Sequence, residues 1–144
     1  MPRPLRRHLA ALLLALLPPA LPVATAAQTA EQAAVIEAVI RDQIARFADR
    51  DLPGAWSHAS PAIQGIFGNP DRFGRMVEQG YPMVWDNRET RFLGLERQGD
   101  RLRQRVLMRD PEGRLWTLEY EMIEGPDGWK INGVRILRGD EATS

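Results

Sequence analysis

Apolar residues recur at a helical spacing in the first half of the chain and at a strand spacing in the second half. Between residues 31 and 48 they stand three and four positions apart, which predicts an amphipathic helix; they are Ile36, Val39, Ile40, Ile44 and Phe47. Thr29 and Gln32 have the spacing of a capping box, so we expect this helix to begin at Thr29.

Three shorter helices are expected after the first one. Asp51, Ser60 and Asn69 are each followed within two residues by proline, the arrangement of an N-cap before a first helical turn. The last of these helices is expected to run as far as Gly80. Its inward apolar stripe consists of Phe73, Met76 and Val77.

From Arg88 onward the apolar period is two, which predicts β-strands. Four strands fit, at about 89–97, 101–109, 114–123 and 129–137. The turns between them are short and hold glycine, as in antiparallel hairpins. Helices first and strands afterwards predict an α+β fold, in which N-terminal helices pack on a four-stranded antiparallel sheet.

The short turns also predict which residues face each other across the strands. On the inner face we expect the pairs Leu93–Val106, Leu95–Gln104, Val106–Leu118, Gln104–Tyr120 and Met108–Trp116. On the opposite face the predicted pairs carry opposite charges: Glu96–Arg103, Arg103–Glu121 and Arg105–Glu119. Such pairs stabilise a sheet, so we interpret the charged face as the solvated one. In the last strand, Asn132 and Gly133 shift the phase and predict a bulge.

The N-terminus has the three zones of a secretory signal peptide. A basic start precedes an uncharged apolar run from Leu9 to Leu17, and Ala24-Thr25-Ala26 has the A-x-A pattern of a cleavage site. The run is shorter than the ~20 residues of a membrane-spanning helix, although an uncleaved anchor or a buried helix is the alternative. We expect a signal peptide (1–26), one domain (27–138) and a disordered tail (139–144).

The composition limits the cellular compartments and the classes of binding partner that we expect. The whole chain has 19 basic and 19 acidic residues, and residues 1–26 hold three of the basic ones, which leaves 16 against 19. Without a basic excess we expect no nucleic-acid partner. Cysteine is absent, which suits an oxidising compartment. We therefore expect a periplasmic or secreted protein with no stable membrane insertion after cleavage, exported by general secretion or by the twin-arginine route.

Three segments carry a resemblance to a known family. They are SPAIQGIF (60–67), NPDRFGRMVEQGY (69–81) and GWKINGV (128–134). Over about residues 31–137 the chain resembles a bacterial family labelled domain of unknown function 4864, and its order of elements resembles the NTF2-like, or cystatin-like cone, fold. The resemblance implies an exported protein with a curved sheet and no established activity. The sequence shows no early hairpin between the second and third helices, where fuller NTF2-like enzymes have strands. No enzymatic role therefore carries over.

The sequence has few residues of the kinds that bind a metal ion or act as a catalytic nucleophile. His58 is the only histidine of residues 27–144, whereas a metal site needs several ligands at set spacings. Ser57 and Ser60 lie near His58, but Ser60 before Pro61 is typical of a helix cap. There is no cysteine and no G-x-S-x-G turn. We expect no metal, no cofactor and no assignable catalytic residue.

The candidate site rests on two polar residues of the inner face. Gln104 and Tyr120 interrupt an apolar surface, so they either satisfy each other as a structural pair or form the polar floor of a pocket. Trp116, Tyr81 and Asp86 are the other pocket candidates. The leading hypothesis is binding of a small apolar molecule or of a protein partner. The alternatives are an acid–base enzyme that uses Asp86 and Tyr120, and a module that forms homodimers.

Overall fold

The computed structural model describes residues 23–139, with side chains described from residue 29 onward. Most of the predicted signal peptide therefore lies outside the described residues, and so does the tail beyond Gly139. The predicted cleavage and the predicted disorder of the tail stay predictions. Among the described residues, no helix combines the length and the apolarity needed to cross a membrane.

The described chain forms helices first and strands afterwards, as the α+β prediction requires. The helices are α1 (Val23–Ala48), α2 (Leu52–Ser57), α3 (Pro61–Phe67), α4 (Pro70–Gly80) and α5 (Pro82–Trp85). The strands are β1 (Glu89–Gln98), β2 (Arg101–Arg109), β3 (Leu115–Gly125) and β4 (Gly128–Ile136). They form one antiparallel sheet in the order β1-β2-β3-β4, curved and not closed, so the predicted fold class is confirmed.

The three predicted caps of the short helices are confirmed. The Asp51 carboxylate accepts a hydrogen bond from the Gly54 N–H at 3.0 Å. The Ser60 hydroxyl accepts from the Ile63 N–H at 3.3 Å. The Asn69 side-chain oxygen accepts from the Arg72 N–H at 2.9 Å. In each case the side chain satisfies a backbone donor that the first helical turn leaves unpaired.

One helix prediction is wrong, and one helix was missed. Helix α1 begins at Val23, so Thr29 lies inside it and does not cap it. Alanine dominates residues 24–27, and alanine has the highest intrinsic helix propensity, which lets the helix extend before Thr29. Helix α5 was not predicted at all; its four residues form a single turn directly after α4.

The predicted register is confirmed for most of the sheet. Gln104 lies opposite Tyr120, Met108 lies opposite Trp116, and Leu95 lies opposite Gln104. The charged pairs are confirmed as well: Glu96–Arg103, Arg103–Glu121 and Arg105–Glu119. The bulge predicted in β4 is present, because Gly133 pairs with Glu121 and Ile131 pairs with the next residue, Met122.

The predicted pair Leu93–Val106 is wrong. Val106 lies opposite Phe92, and the register of β1 shifts between Phe92 and Leu95. In this bulge Leu93 and Gly94 together lie opposite one residue, Arg105, so both Phe92 and Leu95 pack against the core while Leu93 is 41% exposed. A bulge increases the local twist and bends the strand. The bulges in β1 and β4 are the two register irregularities that accompany the curvature of the sheet.

The core lies between the concave face of the sheet and the helices. Helix α1 contributes Ile36, Ile40 and Phe47, and it contacts α2, α5 and β4. The sheet contributes a fully buried row: Val106, Met108, Leu118, Tyr120 and Met122. The segment before α3 is joined to β4 by backbone hydrogen bonds, since Ser60 N–H donates to Ile131 O and Ile131 N–H donates to His58 O, each at 2.8 Å. This connection holds α3 beside β4.

Candidate functional site

An apolar cavity of about 220 Å³ lies between the helices and the concave face of the sheet. Helices α3 and α4 form one wall, and strands β3 and β4 form the opposite one. Its lining consists of Gln43, Phe47, Ala59, Ile63, Phe67, Phe73, Met76, Val77, Tyr81, Val84, Tyr120, Ile131, Gly133 and Val134. None of these described residues is charged, so the cavity offers an almost entirely hydrocarbon environment.

The cavity reaches the surface at one side. Several of its lining side chains are only half-buried: Ile63, Phe67, Met76, Tyr81 and Val134. The inner part is closed by buried groups, among them Phe47, Phe73 and Tyr120. The partly exposed side of the cavity therefore lies beside α3, the end of α4 and β4.

Phe73 of α4 organises the aromatic part of the wall. Its ring centroid lies 5.6 Å from that of Trp56, 5.8 Å from that of Phe47 and 5.9 Å from that of Phe67. Tilted and edge-on aromatic pairs at these distances are favourable beyond simple area burial. Through these rings α4 packs against α1, α2 and α3 at the cavity wall.

Two tyrosines line the cavity, and they differ in how their hydroxyls are used. The Tyr81 hydroxyl donates to the Val134 carbonyl at 3.0 Å, which joins the end of α4 to β4. The Tyr120 side chain is completely buried, and its hydroxyl has no hydrogen-bond partner within the described residues. A buried polar group without a partner costs about 1–3 kcal/mol. The Tyr120 hydroxyl is therefore a buried polar group of the cavity wall without a hydrogen bond among the described residues.

Tyr120 is also held in its neutral form. Burial raises the pKa of the Tyr120 hydroxyl well above its ordinary value of 10.0, and the nearby Tyr81 acts in the same direction. Burial has this effect because it penalises the phenolate more than the phenol. The group is consequently a hydrogen-bond donor and acceptor at physiological pH, and it does not act as a base there.

The predicted structural pair between Gln104 and Tyr120 is not formed. The two residues lie opposite each other, but the Gln104 amide Nε2 donates to the carbonyls of Leu93 at 3.0 Å, Gly94 at 3.3 Å and Arg105 at 2.8 Å. It therefore satisfies backbone acceptors at the β1 bulge. Gln104 does not line the cavity, so of this pair only Tyr120 is part of the cavity wall.

Trp116 and Asp86 are placed away from the cavity. The Trp116 indole N–H donates to the carboxylate of Asp110 at 2.8 Å. Asp86 is exposed and forms an ion pair with Arg50, with 2.6 Å between the nearest nitrogen and oxygen. The carboxylate and the tyrosine proposed for acid–base chemistry are thus not brought together at this cavity. Of the five predicted site residues, Tyr81 and Tyr120 line it.

Gln43 of α1 is a cavity residue that the sequence interpretation missed. Its side chain is buried, and its Nε2 donates to the Ala55 carbonyl at 3.1 Å. The signal was present in the sequence, because Gln43 stands three residues after Ile40 and seven after Ile36, on the apolar face of the helix. A polar residue at such a position needs a buried partner, and here the partner is the backbone of α2.

His58 lies at the C-terminal end of α2 and forms a pair with Asp42. Its Nε2 lies 2.5 Å from the Asp42 carboxylate. This hydrogen bond is the main reason why the pKa of Asp42 is lowered; burial is the next largest cause and opposes it, and Arg46 adds to the lowering. Residues 29–139 hold no group of three or more His, Cys, Asp and Glu side chains arranged to bind a metal ion.

The convex face of the sheet holds a nearly buried carboxylate. The Glu119 side chain is 8% exposed and lies within 4 Å of three guanidinium groups: Arg103 at 3.4 Å, Arg105 at 3.5 Å and Arg135 at 3.1 Å. Glu121 pairs with Arg101 at 2.6 Å and accepts a hydrogen bond from the Asn132 amide at 2.7 Å. The charges on this face compensate one another.

Comparison with known proteins identifies a family but does not identify an activity. No curated protein and no solved structure matches the chain. A family model described as "Domain of unknown function (DUF4864)" matches residues 29–144, which include α3, α4, the cavity and the whole sheet. That span is most of the chain and confirms the resemblance stated from the three sequence segments. The chain belongs to the DUF4864 family.

Proposed function

We propose that this domain binds a small, mostly apolar molecule in the cavity between α3, α4 and the sheet. The observation that carries the proposal is the cavity itself, about 220 Å³ in volume and lined by uncharged side chains that reach the surface on one side. Concave, apolar sites with a few polar groups are the usual form of small-molecule sites. Transfer of apolar ligand surface out of water supplies the driving force.

The volume sets the size of the molecule. Natural ligand pockets span about 300–1,000 Å³, so this one is small. A protein cavity of about 150 Å³ lined by apolar side chains is known to accept benzene. A volume of about 220 Å³ therefore suits one substituted ring or a short branched chain, and it is too small for a fused four-ring molecule.

Binding without catalysis agrees best with the arrangement of the side chains. Acid–base catalysis needs a base within hydrogen-bond reach of the substrate, and none of the described lining residues is a carboxylate or a histidine. Asp86, the carboxylate considered for this role, is engaged by Arg50 at the surface. Export to the periplasm or the medium is part of the proposal, and it is supported by the signal-peptide pattern of residues 1–26. Homodimerisation and a protein partner stay predictions.

The experiment is a titration of the isotope-labelled domain with toluene and with ethylbenzene, followed by backbone amide shifts. We expect saturable shifts confined to α3, α4, β3 and β4. Val134→Phe adds a ring inside the cavity and should weaken binding by about tenfold or more. Ile63→Phe tests the same point from α3. Leu115→Phe is the matched control, because Leu115 is exposed and lies outside the cavity lining. Absence of saturable shifts in the wild type would overturn the proposal.

A further inference from the structure

The Tyr120 hydroxyl has no partner among the described residues, whereas the amide of Gln104 and the hydroxyl of Tyr81 both donate hydrogen bonds. Gln104, opposite it on β2, gives its amide hydrogens to backbone carbonyls at the β1 bulge. Tyr81 gives its hydroxyl hydrogen to Val134 O. Within residues 29–139 the Tyr120 hydroxyl alone is a buried side-chain polar atom without a partner. The wall of the cavity thus holds one buried hydrogen-bond donor that no described residue engages.

The lining also determines which charge the entering molecule can carry. A carboxylate placed in the cavity would lose its hydration and would meet no lysine, arginine or histidine among the described lining residues. An ammonium group would likewise meet no carboxylate there. The raised pKa of Tyr120 keeps its O–H bond intact, so the hydroxyl offers a hydrogen and no charge. A neutral molecule with a single acceptor atom meets these conditions.

From these observations we infer that the ligand is a neutral, ring-sized molecule with one hydrogen-bond acceptor oxygen, such as a ketone, an aldehyde or an ether, and that the Tyr120 hydroxyl donates to that oxygen. This inference rests on the proposed function, since it names the class of molecule that the same cavity takes. Tyr120 acts as a specificity-determining residue, because its hydroxyl is the buried polar group of the wall that has no partner among the described residues. Gln43 contributes the other polar side chain of the wall.

The test is a double-mutant cycle between ligand and protein. Ethylbenzene and acetophenone have nearly the same shape and differ by one carbonyl oxygen. Dissociation constants for both probes are measured with the wild type, with Tyr120→Phe and with Tyr81→Phe. The preference for the ketone over the hydrocarbon should fall by about five- to tenfold or more in Tyr120→Phe, because the buried carbonyl then lacks its donor. Tyr81→Phe is the matched control and should keep the preference.

A second measurement does not depend on any variant. Acetophenone labelled with ¹³C at the carbonyl should show a lower carbonyl stretching frequency when it is bound to the wild-type domain than when it is dissolved in an alkane. Benzoate, the charged analogue, should bind more weakly than acetophenone.

The outcomes separate the two proposals. If both neutral probes bind but Tyr120→Phe leaves the ketone preference unchanged, or the carbonyl frequency equals that in alkane, the inference about Tyr120 is wrong and the cavity remains a binding site. Tighter binding of benzoate than of acetophenone would also contradict the neutral class. If neither neutral probe binds the wild type, the proposed function itself fails.

Discussion

The side chain of Gln104 donates a hydrogen bond to the backbone carbonyl of Leu93 at 3.0 Å, across the bulge that shifts the register of β1. The same amide reaches the Gly94 carbonyl at 3.3 Å. A bulge has one extra residue and disrupts the regular ladder, so the backbone groups at the bulge need other partners. Gln104 supplies a donor from the adjacent strand and thereby stabilises the irregular part of the sheet edge.

Gln104→Leu should therefore destabilise the domain although it places an apolar residue on an apolar face. The substitution removes the donor and leaves carbonyls at the bulge without it, which we expect to lower the free energy of unfolding by about 1–3 kcal/mol. Urea denaturation measures the change. Gln98→Leu, at the exposed end of β1, is the matched control and should have little effect. Unchanged stability of Gln104→Leu would show that water replaces the amide at the bulge.

Much of the fold was predictable because its signals are local. Ser60 and Asn69 cap their helices through hydrogen bonds to residues three positions later, so a short segment is sufficient to predict the cap. The register of β2 and β3 follows from a tight turn, which leaves few alternatives. Gly94 inside a strand was an available sign of the β1 bulge, since an interior glycine often marks one, and it was not used.

The cavity was less predictable because it depends on distances between elements. Tyr81 and Tyr120 were named from their residue type and their face, but the cavity also depends on how α4 packs on the other helices through Phe73. The two alternatives for Gln104, a pair with Tyr120 or the floor of a pocket, did not include its backbone partners for a related reason. The bulge in β1 brings two carbonyls within reach of its amide, and a regular strand would not present them in the same way.

Tyr120→Phe should not lower the stability of the ligand-free domain. The hydroxyl that is lost has no partner among the described residues, so its removal relieves a desolvation cost, and we expect the free energy of unfolding to stay level or to rise by up to about 1 kcal/mol. Tyr81→Phe is the comparison, because it breaks the hydrogen bond to Val134 and should cost about 0.5–1.5 kcal/mol. A clear destabilisation by Tyr120→Phe would reveal a partner for its hydroxyl.

Glu119→Gln should be costly for a residue of the charged face. The charge pattern alone presents Arg105–Glu119 as one more surface pair, yet the Glu119 side chain is 8% exposed and contacts three arginines. Hydrogen bonds to charged groups contribute about 1.5–3 kcal/mol, and we expect a loss of about 1–3 kcal/mol in the free energy of unfolding. Glu96→Gln is the control: Glu96 is exposed, so its loss should be within about 0.5 kcal/mol. Equal effects would contradict this account.

The export proposal predicts the N-terminus of the mature protein. The A-x-A pattern at residues 24–26 places the cleavage after Ala26, so protein isolated from the envelope fraction or the medium of the native host should begin at or near Ala27. Intact-mass spectrometry measures this directly. Envelope-associated protein that keeps Met1 would contradict the cleavage, and a full-length chain found in the cytoplasm would contradict export.

The domain should lose stability at acid pH through Asp110 in particular. Asp110 is fully buried and accepts hydrogen bonds from the Trp116 indole at 2.8 Å and from the Arg114 backbone N–H at 2.9 Å and guanidinium at 3.0 Å. Burial raises the pKa of the Asp110 carboxyl, but these hydrogen bonds outweigh burial and hold the pKa below its ordinary value of 3.8. The charged form is therefore favoured by folding.

The folded-state pKa of Asp110 lies below the unfolded value of 3.8. Its contribution to stability is therefore fully present above about pH 3.8, and it is lost as the pH falls through the folded-state pKa. Asp110→Asn removes the titrating group and places an amide donor where the carboxylate accepts from Trp116 or Arg114. We expect lower stability at neutral pH and a smaller further loss on acidification than in the wild type. Denaturant unfolding from neutral pH to below about pH 3.8 measures both the stability at neutral pH and its loss on acidification. Asp100→Asn, in the exposed turn between β1 and β2, is the control. If the wild type and Asp110→Asn lost the same stability below about pH 3.8, that result would contradict the role of Asp110.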